Sequence, residues 1–408
     1  MKIIDTETAI IGGGASGLAA AIAASRYGCG NVTIFEKMQR VGKKILSTGN
    51  GRCNLTNRNI SPADYTGDTE LLSYISPDID NAEDFFSSLG LICRADDNGR
   101  VYPYSNAATS VLDALRFAAD SSGIRTVCDF TVSEITKTKH GFIITDGETQ
   151  VKAKRVIIAA GGKAAPSLGS SGEGYELCRS LGHSVTRLFP ALAPVRTDIE
   201  LVKSLKGLRV AADATLISGG RVIDRQSGEV QFTDGALSGI CIFNLSAKAA
   251  EYINNGEISL DTAPTLGKDE LYGLIKSTAA IRASLPCEEL LTGIYHKRVG
   301  QAMLKKVGIP FSETCGEISD KDISVLCNLA KDSRYPIRNV SDWSLAQITC
   351  GGIPANEVSD KLESLKASGL YLCGEILNIQ GKCGGYNLDW AWKSGYTAGM
   401  NASLSLSE

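Results

Sequence analysis

Apolar positions along this chain recur with two different periods, and the changes of period mark out its parts. The apolar run at 8–11 has the length of a buried strand, and the Leu18–Arg26 stretch that follows has the composition of a buried helix. A second apolar run at 32–35 reads as another strand. Further on, helices are expected at 82–89, ended by Gly90, and at 108–121, where Val111, Leu112, Leu115 and Ala118 or Ala119 fall on one face. Asp97-Asn98-Gly99 signals a turn between them. Strands are expected at 126–135, at 141–145, around Val151, and at 156–160, the last a returning parallel strand after a small antiparallel meander.

From Pro190 the period falls to two. Segments 191–196, 208–218, 221–224 and 229–232 alternate like strands, with Ser218-Gly219-Gly220 as a hairpin turn. A helix at 245–254 follows, then helical patterns at 268–278, 287–307 and 320–331, and a strand at 343–350. Segment 369–373 is a strand ending in Gly374-Glu375, and 389–402 is a last helix. The pattern predicts three parts: residues 1–189 with 351–408, a β-domain of 190–255 with 335–350, and a helical insert of 256–334.

Composition narrows the function classes. The 408 residues are 43% hydrophobic and 21% charged, ordinary values for a soluble globular protein of two or three domains. A formal net charge of −3 argues against nucleic acid as a partner. Twelve cysteines without a Cys-x-x-Cys, beside three histidines, argue against a metal site and for buried free thiols in a reducing cytosol. No apolar run reaches membrane-spanning length and no leader pattern is visible, so a cytoplasmic protein without a membrane partner is expected. Nothing in the sequence indicates the oligomeric state.

The chemistry begins at the first turn. Gly12, Gly14 and Gly17 form Gly-x-Gly-x-x-Gly between a strand and a helix. There the first glycine permits the turn, the second lets a pyrophosphate approach the backbone, and the third lets helix and strand pack closely. Ala15 and Ser16 carry N–H groups of the first helical turn, which face the anion. Glu36 ends the second strand about 20 residues on, where a carboxylate takes the adenosine ribose hydroxyls. An ordinary βαβ turn with an exposed Glu is the competing explanation, and the paired signals outweigh it.

The next stretch distinguishes FAD from NAD. Lys37 opens a long glycine- and hydroxyl-rich loop whose Lys43, Ser47, Asn50, Arg52 and Asn54 suit a phosphate, a ribityl chain or polar ring edges, although a solvent-exposed Ω-loop has the same look. Gly161, at the carboxyl end of the returning strand, lies where a cofactor is expected in such a sheet. The Gly374-Glu375 strand end suits the ribityl or pyrophosphate side of the cofactor. Gly385, Asn387 and Leu388 open a helix whose N-terminus suits the flavin N1/O2 edge. Cys53 and Val132 complete the cofactor-binding set. No second complete glycine fingerprint exists, so a separate nicotinamide domain is not expected.

Four segments carry a family resemblance: 12–18, 42–54, 349–353 and 381–388. Together they make the chain similar to the BaiN-like flavoproteins, a family that also includes aminoacetone oxidase. The resemblance covers residues 8–390 and implies an α/β fold: an FAD-binding Rossmann-like domain of glutathione reductase type, an inserted β-barrel-like domain and a helical insert. It implies FAD contacts at Gly12, Gly14, Ala15, Glu36, Lys37, Asn50, Arg52, Glu375, Asn387 and Leu388.

The activity it implies is reduction of a conjugated C=C bond in a 3-oxo bile acid or similar steroid enone, with NAD(P)H as a transient hydride donor. An amine oxidase of aminoacetone type, producing hydrogen peroxide from an aminoketone, is the runner-up. A non-enzymatic flavin redox sensor or RNA-associated protein is the third reading. Tyr386 and Tyr102 are the candidate catalytic donors for a developing enolate. Trp390 and Trp392 suit either a steroid pocket or helix packing.

Overall fold

The strand expected at 8–11 is longer, Lys2–Ile11, and sits in the middle of a sheet in the computed structural model, which describes residues 2–407. By contacts the chain divides into two compact units, Met1–Pro190 with Ala346–Glu408, and Ala191–Leu345.

In the first unit the sheet runs Arg125–Val127, Val32–Phe35, Lys2–Ile11, Thr149–Ile158, Gly141–Thr145, Glu134–Thr138. Leu370–Leu372 also pairs, in parallel, with the C-terminal half of Thr149–Ile158. Ile10 and Ile11 lie beside Ile34 and Phe35 on one side and Ile157 and Ile158 on the other, all buried. The buried end of the strand, paired on both sides, is the part that must be apolar, which explains the short continuous run.

Two expectations change here. The returning strand does not begin at Val156: Thr149–Ile158 is one strand, antiparallel to Gly141–Thr145 in its first half and parallel to Leu370–Leu372 in its second. The strand expected at 126–135 is two, Arg125–Val127 and Glu134–Thr138. Between them Asp129 takes a positive φ of 54°, and the N–H groups of Asp129 and Phe130 donate to the carbonyls of Met38 and Glu36. The chain leaves the sheet there to close over the end of the second strand, where Phe130 packs on Phe35 at 4.8 Å.

The second unit is built on another seven-stranded sheet, ordered Ser333–Pro336, Gly256–Asp261, Arg209–Ser218, Arg221–Phe232, Ala236–Ser238, Val195–Arg196, Asn339–Val340. Its two end strands belong to one segment, 333–340. Ile337 N–H donates to Gly256 and Arg338 N–H to Arg196, so the segment bridges both ends and makes the sheet barrel-like. Gly256–Asp261 and the first two residues of Ser333–Pro336 fall in the range expected to be a helical insert. They flank the three helices Lys268–Ile281, Lys297–Val307 and Asp320–Lys331, so barrel and helices form one unit. Segment 287–307 is helical only at Cys287–Glu289 and Lys297–Val307. The helix expected at 245–254 is Ile240–Ala249. Of 343–350, only Ile348–Cys350 is strand.

Candidate functional site

The glycine turn is packed backbone to backbone. A Cβ at Gly12 would lie 2.5 Å from the Ala159 carbonyl oxygen, and one at Gly17 would lie 1.9 Å from that of Gly12. Gly14 differs: a Cβ there would meet nothing within 4 Å. Gly14 caps the helix Ala15–Arg26 without a side-chain hydrogen bond, and the first intrahelical bond runs from Leu18 N–H to Gly14. The N–H groups of Ala15, Ser16 and Gly17 are therefore left over, facing an open cradle at the positive end of the helix dipole.

Glu36 stands at one side of this cradle. Its Oε2 accepts the Gly13 N–H and its Oε1 the Met38 N–H, each at 2.8 Å. The carboxylate is thereby fixed, and each oxygen keeps a lone pair for a hydroxyl. Val132 lies on the segment tied by Asp129 and Phe130 to this same strand end.

A second uncapped N-terminus belongs to the helix Tyr386–Leu404, capped only by Gly385 at φ 105°. This helix crosses the first in parallel and in backbone contact. A Cβ at Gly395 would lie 2.2 Å from the Ser16 carbonyl oxygen, and one at Gly399 would lie 2.1 Å from that of Ala20. Gly395 thus lies at the level of Ser16, so the C-terminal helix begins nine residues upstream of that level. At the rise of an α-helix its N-terminus projects about 13 Å beyond the first. Two positive helix ends of one unit are staggered along a common direction.

Side chains of the intervening loops brace this arrangement. Lys44 Nζ pairs with Glu375 Oε2 at 2.9 Å, and Glu375 Oε1 accepts the Thr349 N–H at 2.7 Å. Thr349 Oγ1 accepts the N–H groups of Lys163 and Ala164, just past Gly161. Gly374 is held at both ends, its N–H on Ser394 Oγ and its carbonyl by Trp390 Nε1. Lys37 pairs with Glu173 at 2.7 Å, and Lys43 donates to the Ser167 carbonyl. Ser47 donates to its own loop at Lys44. The Asn387 amide brackets Gly381, accepting its N–H and donating to its carbonyl. Of the expected cofactor contacts, the carboxylate of Glu375, the ammonium groups of Lys37 and Lys43 and the Asn387 amide are thus already engaged within the protein.

Where the second helix begins, the loop 47–54 meets the Arg100–Pro103 strand. Arg52 lies over the Tyr102 ring at 4.8 Å, while Asn50 is exposed on a left-handed turn. Cys53 is fully buried, and burial pushes its thiol up to about 12, so it is neither a nucleophile nor an acid at neutral pH. Asn54 Oδ1 is buried and unpartnered, 3.0 Å from where a Gly385 Cβ would be. Tyr386 follows Gly385, and burial raises its phenol, which stays protonated at neutral pH. Asp389, whose carboxyl burial also raises, accepts from Thr56 Oγ1 at 2.6 Å and pairs with Lys393.

Trp390 and Trp392 are buried and donate their indole N–H groups to Gly374 and Leu55, so they pack the helix and line no pocket. Sequence reasoning missed Lys44 and Thr349 as bracing groups. Lys44 lies 331 residues from Glu375 and Thr349 lies 186 residues from Lys163, and only the matching motif 349–353 hinted at Thr349. Among the described residues no cluster of His, Cys, Asp or Glu fits a metal, and no disulfide joins any two cysteines.

The cradle at Gly14, the ribose-ready Glu36, the second positive helix end and the unpartnered amide of Asn54 fit a long dinucleotide with an anionic middle and a polar ring edge. FAD has that form.

The family model described as HI0933-like protein Rossmann domain matches residues 6–401. A 3-dehydro-bile acid delta(4,6)-reductase of Clostridium scindens is 36% identical, over 97% of this chain and 98% of its own. A ribosomal RNA dihydrouridine synthase of Haemophilus influenzae is 25% identical, over 98% of each chain. Among solved structures, the 3-ketosteroid delta1-dehydrogenase from Sterolibacterium denitrificans superposes with a TM-score of 0.52 at 14% identity, over 98% of this chain and all of its own. An E. coli quinol fumarate reductase gives 0.53 at 14% identity, over all of this chain and 71% of its own. The fold is the Rossmann-like, FAD-binding one that the glycine pattern predicts.

Proposed function

The chain belongs to the HI0933-like Rossmann family, and from that premise we propose that it is an FAD-dependent reductase of a conjugated C=C bond in a 3-oxo-Δ4,6 bile acid or similar steroid enone, with NAD(P)H as hydride donor. The observation that carries this reading is the 36% identity, over nearly the full length of both chains, to a 3-dehydro-bile acid delta(4,6)-reductase.

Bound FAD supplies a hydride acceptor and donor at its N5. The chain's own residues do the rest. The N–H groups of Ala15, Ser16 and Gly17 take the pyrophosphate, and Glu36 takes the adenosine ribose. The N–H groups of Tyr386, Asn387 and Leu388 stabilise negative charge at the pyrimidine end of the ring. Hydride addition to the β-carbon of an enone leaves charge on the carbonyl oxygen. A phenol, Tyr386 or Tyr102, donates to that oxygen, and burial raises the Tyr386 phenol.

A second reading has a specific support in the ribosomal RNA dihydrouridine synthases at 24–25% identity. The C5=C6 bond of uracil is also conjugated to a carbonyl, so the same hydride chemistry applies. The formal net charge of −3 favours the small molecule. Anaerobic mixing separates the readings. Bleaching of the flavin by NAD(P)H, with colour restored by a 3-oxo-Δ4,6 steroid, supports the proposal. Restoration only by a uridine-containing RNA, or bleaching only by an aminoketone with peroxide formed in air, overturns it.

A further inference from the structure

Asn54 closes the loop 47–54 under tight backbone constraint. Cys53, just before it, takes φ 57° and donates its N–H to the Thr48 carbonyl. Leu55, just after it, donates to Val101 and accepts from Trp392 Nε1. The amide is therefore carried on a stretch with little freedom to turn away. Its Oδ1 is buried without a partner, and among the described residues its Nδ2 makes no hydrogen bond either. Burying an amide oxygen without a partner costs stability that packing alone does not return. Such a group in a cofactor-binding fold points to a partner that arrives with the ligand.

The position narrows the partner. Oδ1 sits beside Gly385, the cap of the C-terminal helix, and about 13 Å along that helix from the level of the pyrophosphate cradle. An amide offers one acceptor and one donor side by side, whichever way its two ends are assigned. A single ribityl or ribose hydroxyl presents one atom to the amide and pairs in line with only one end. The pyrimidine edge of an isoalloxazine offers an N–H flanked by two carbonyls, which satisfies both.

Resting on the FAD reading above, we propose that Asn54 reads the lactam edge of the flavin, Oδ1 accepting the ring N3–H and Nδ2 donating to an adjacent ring carbonyl. The residue is then a specificity-determining contact for the ring, distinct from the helix ends that hold charge.

The test uses flavin analogues. The full-length protein, stripped of flavin, is titrated with FAD and with N3-methyl-FAD while flavin fluorescence is followed. The same is done for Asn54→Ala and for the near-isosteric Asn54→Asp, whose folding is checked by circular dichroism. Wild type is expected to bind the methylated flavin at least about tenfold more weakly than FAD. Asn54→Ala should bind FAD about tenfold more weakly than wild type does and should distinguish the two flavins by no more than about twofold. Folded variants that keep the wild-type discrimination overturn the proposal, as does a wild type that binds both flavins equally. Wild type that binds neither flavin overturns the FAD reading itself.

Discussion

Cys53 and His183 are the residues whose environments make the sharpest chemical statements. A thiol pushed up to about 12 by burial carries about a thousandfold less thiolate at pH 8 than one at the ordinary 9.0. Iodoacetamide on the folded protein should therefore leave Cys53 unmodified over hours, with labelling appearing only in denaturant. Rapid modification in the folded state, read by peptide mass spectrometry, would contradict that environment.

His183 has a fully buried side chain, with Nδ1 2.9 Å from Glu357 and Nε2 2.7 Å from Ser364. Burial lowers its pKa, and Glu357 only partly offsets that. Burial pushes Glu357 up, but bonds from Ser184 and His183 hold it low. Both folded-state values thus lie below their unfolded ones. Their contributions are fully present at higher pH and are lost on acidification, first below the ordinary histidine value of 6.5 and then below 4.5 for Glu357. Urea midpoints should fall as pH drops from 7 to 5, and His183→Gln should flatten that slope. An unchanged slope would place the acid sensitivity elsewhere. None of this network is legible in the sequence, because His183 and Glu357 are 174 residues apart and neither lies in a motif.

At the scale of elements, the contact between the two helices sets the stagger of their positive ends. Small residues along Ala15–Arg26 and at Gly395 and Gly399 let the backbones touch. Gly395→Ala would push a methyl to 2.2 Å from the Ser16 carbonyl oxygen. The expected loss is about 1–3 kcal/mol of stability, as for overpacked cores, together with reduced FAD content, because Ser16 belongs to the cradle. Gly273→Ala is the control: inside a helix of the other unit, its Cβ meets nothing within 4 Å. It should raise stability by about 0.5–1 kcal/mol. Thermal melts and the ratio of flavin to protein absorbance check both.

The strand–glycine–helix start was readable because its signals are local: an apolar run, three glycines and a carboxylate at fixed spacing. The helix 389–402 was readable for the same reason, though it begins three residues earlier. Segment 126–135 misled because its apolar pattern continues while hydrogen bonds to Glu36 and Met38 pull the backbone out of the sheet. The bracing of Glu375 by Lys44, 331 residues away, has no local signature at all.

For the whole molecule, both ends of the chain converge on one compact unit, which holds both Gly12–Gly17 and Gly374–Leu388. The second unit joins barrel and helices because strands Gly256–Asp261 and Ser333–Pro336 enclose the helical stretch. Periodicity found the helices Lys268–Ile281 and Asp320–Lys331 but ran 287–307 together and took Gly256–Asp261 and the start of Ser333–Pro336 into the helical stretch, since strands of six and four residues leave little room for a period to show. Among the described residues no helix is long and apolar enough to cross a membrane.

One anaerobic stopped-flow experiment tests most directly the proposed passage of hydride from a nicotinamide through FAD to a conjugated enone. Purified protein should show the visible flavin band. NAD(P)H should bleach it, and a 3-oxo-Δ4,6 steroid should restore it with loss of the dienone absorbance. Reduced flavin left unchanged by the steroid but reoxidised by uridine-containing RNA, or a flavin reduced only by aminoketones, would contradict it.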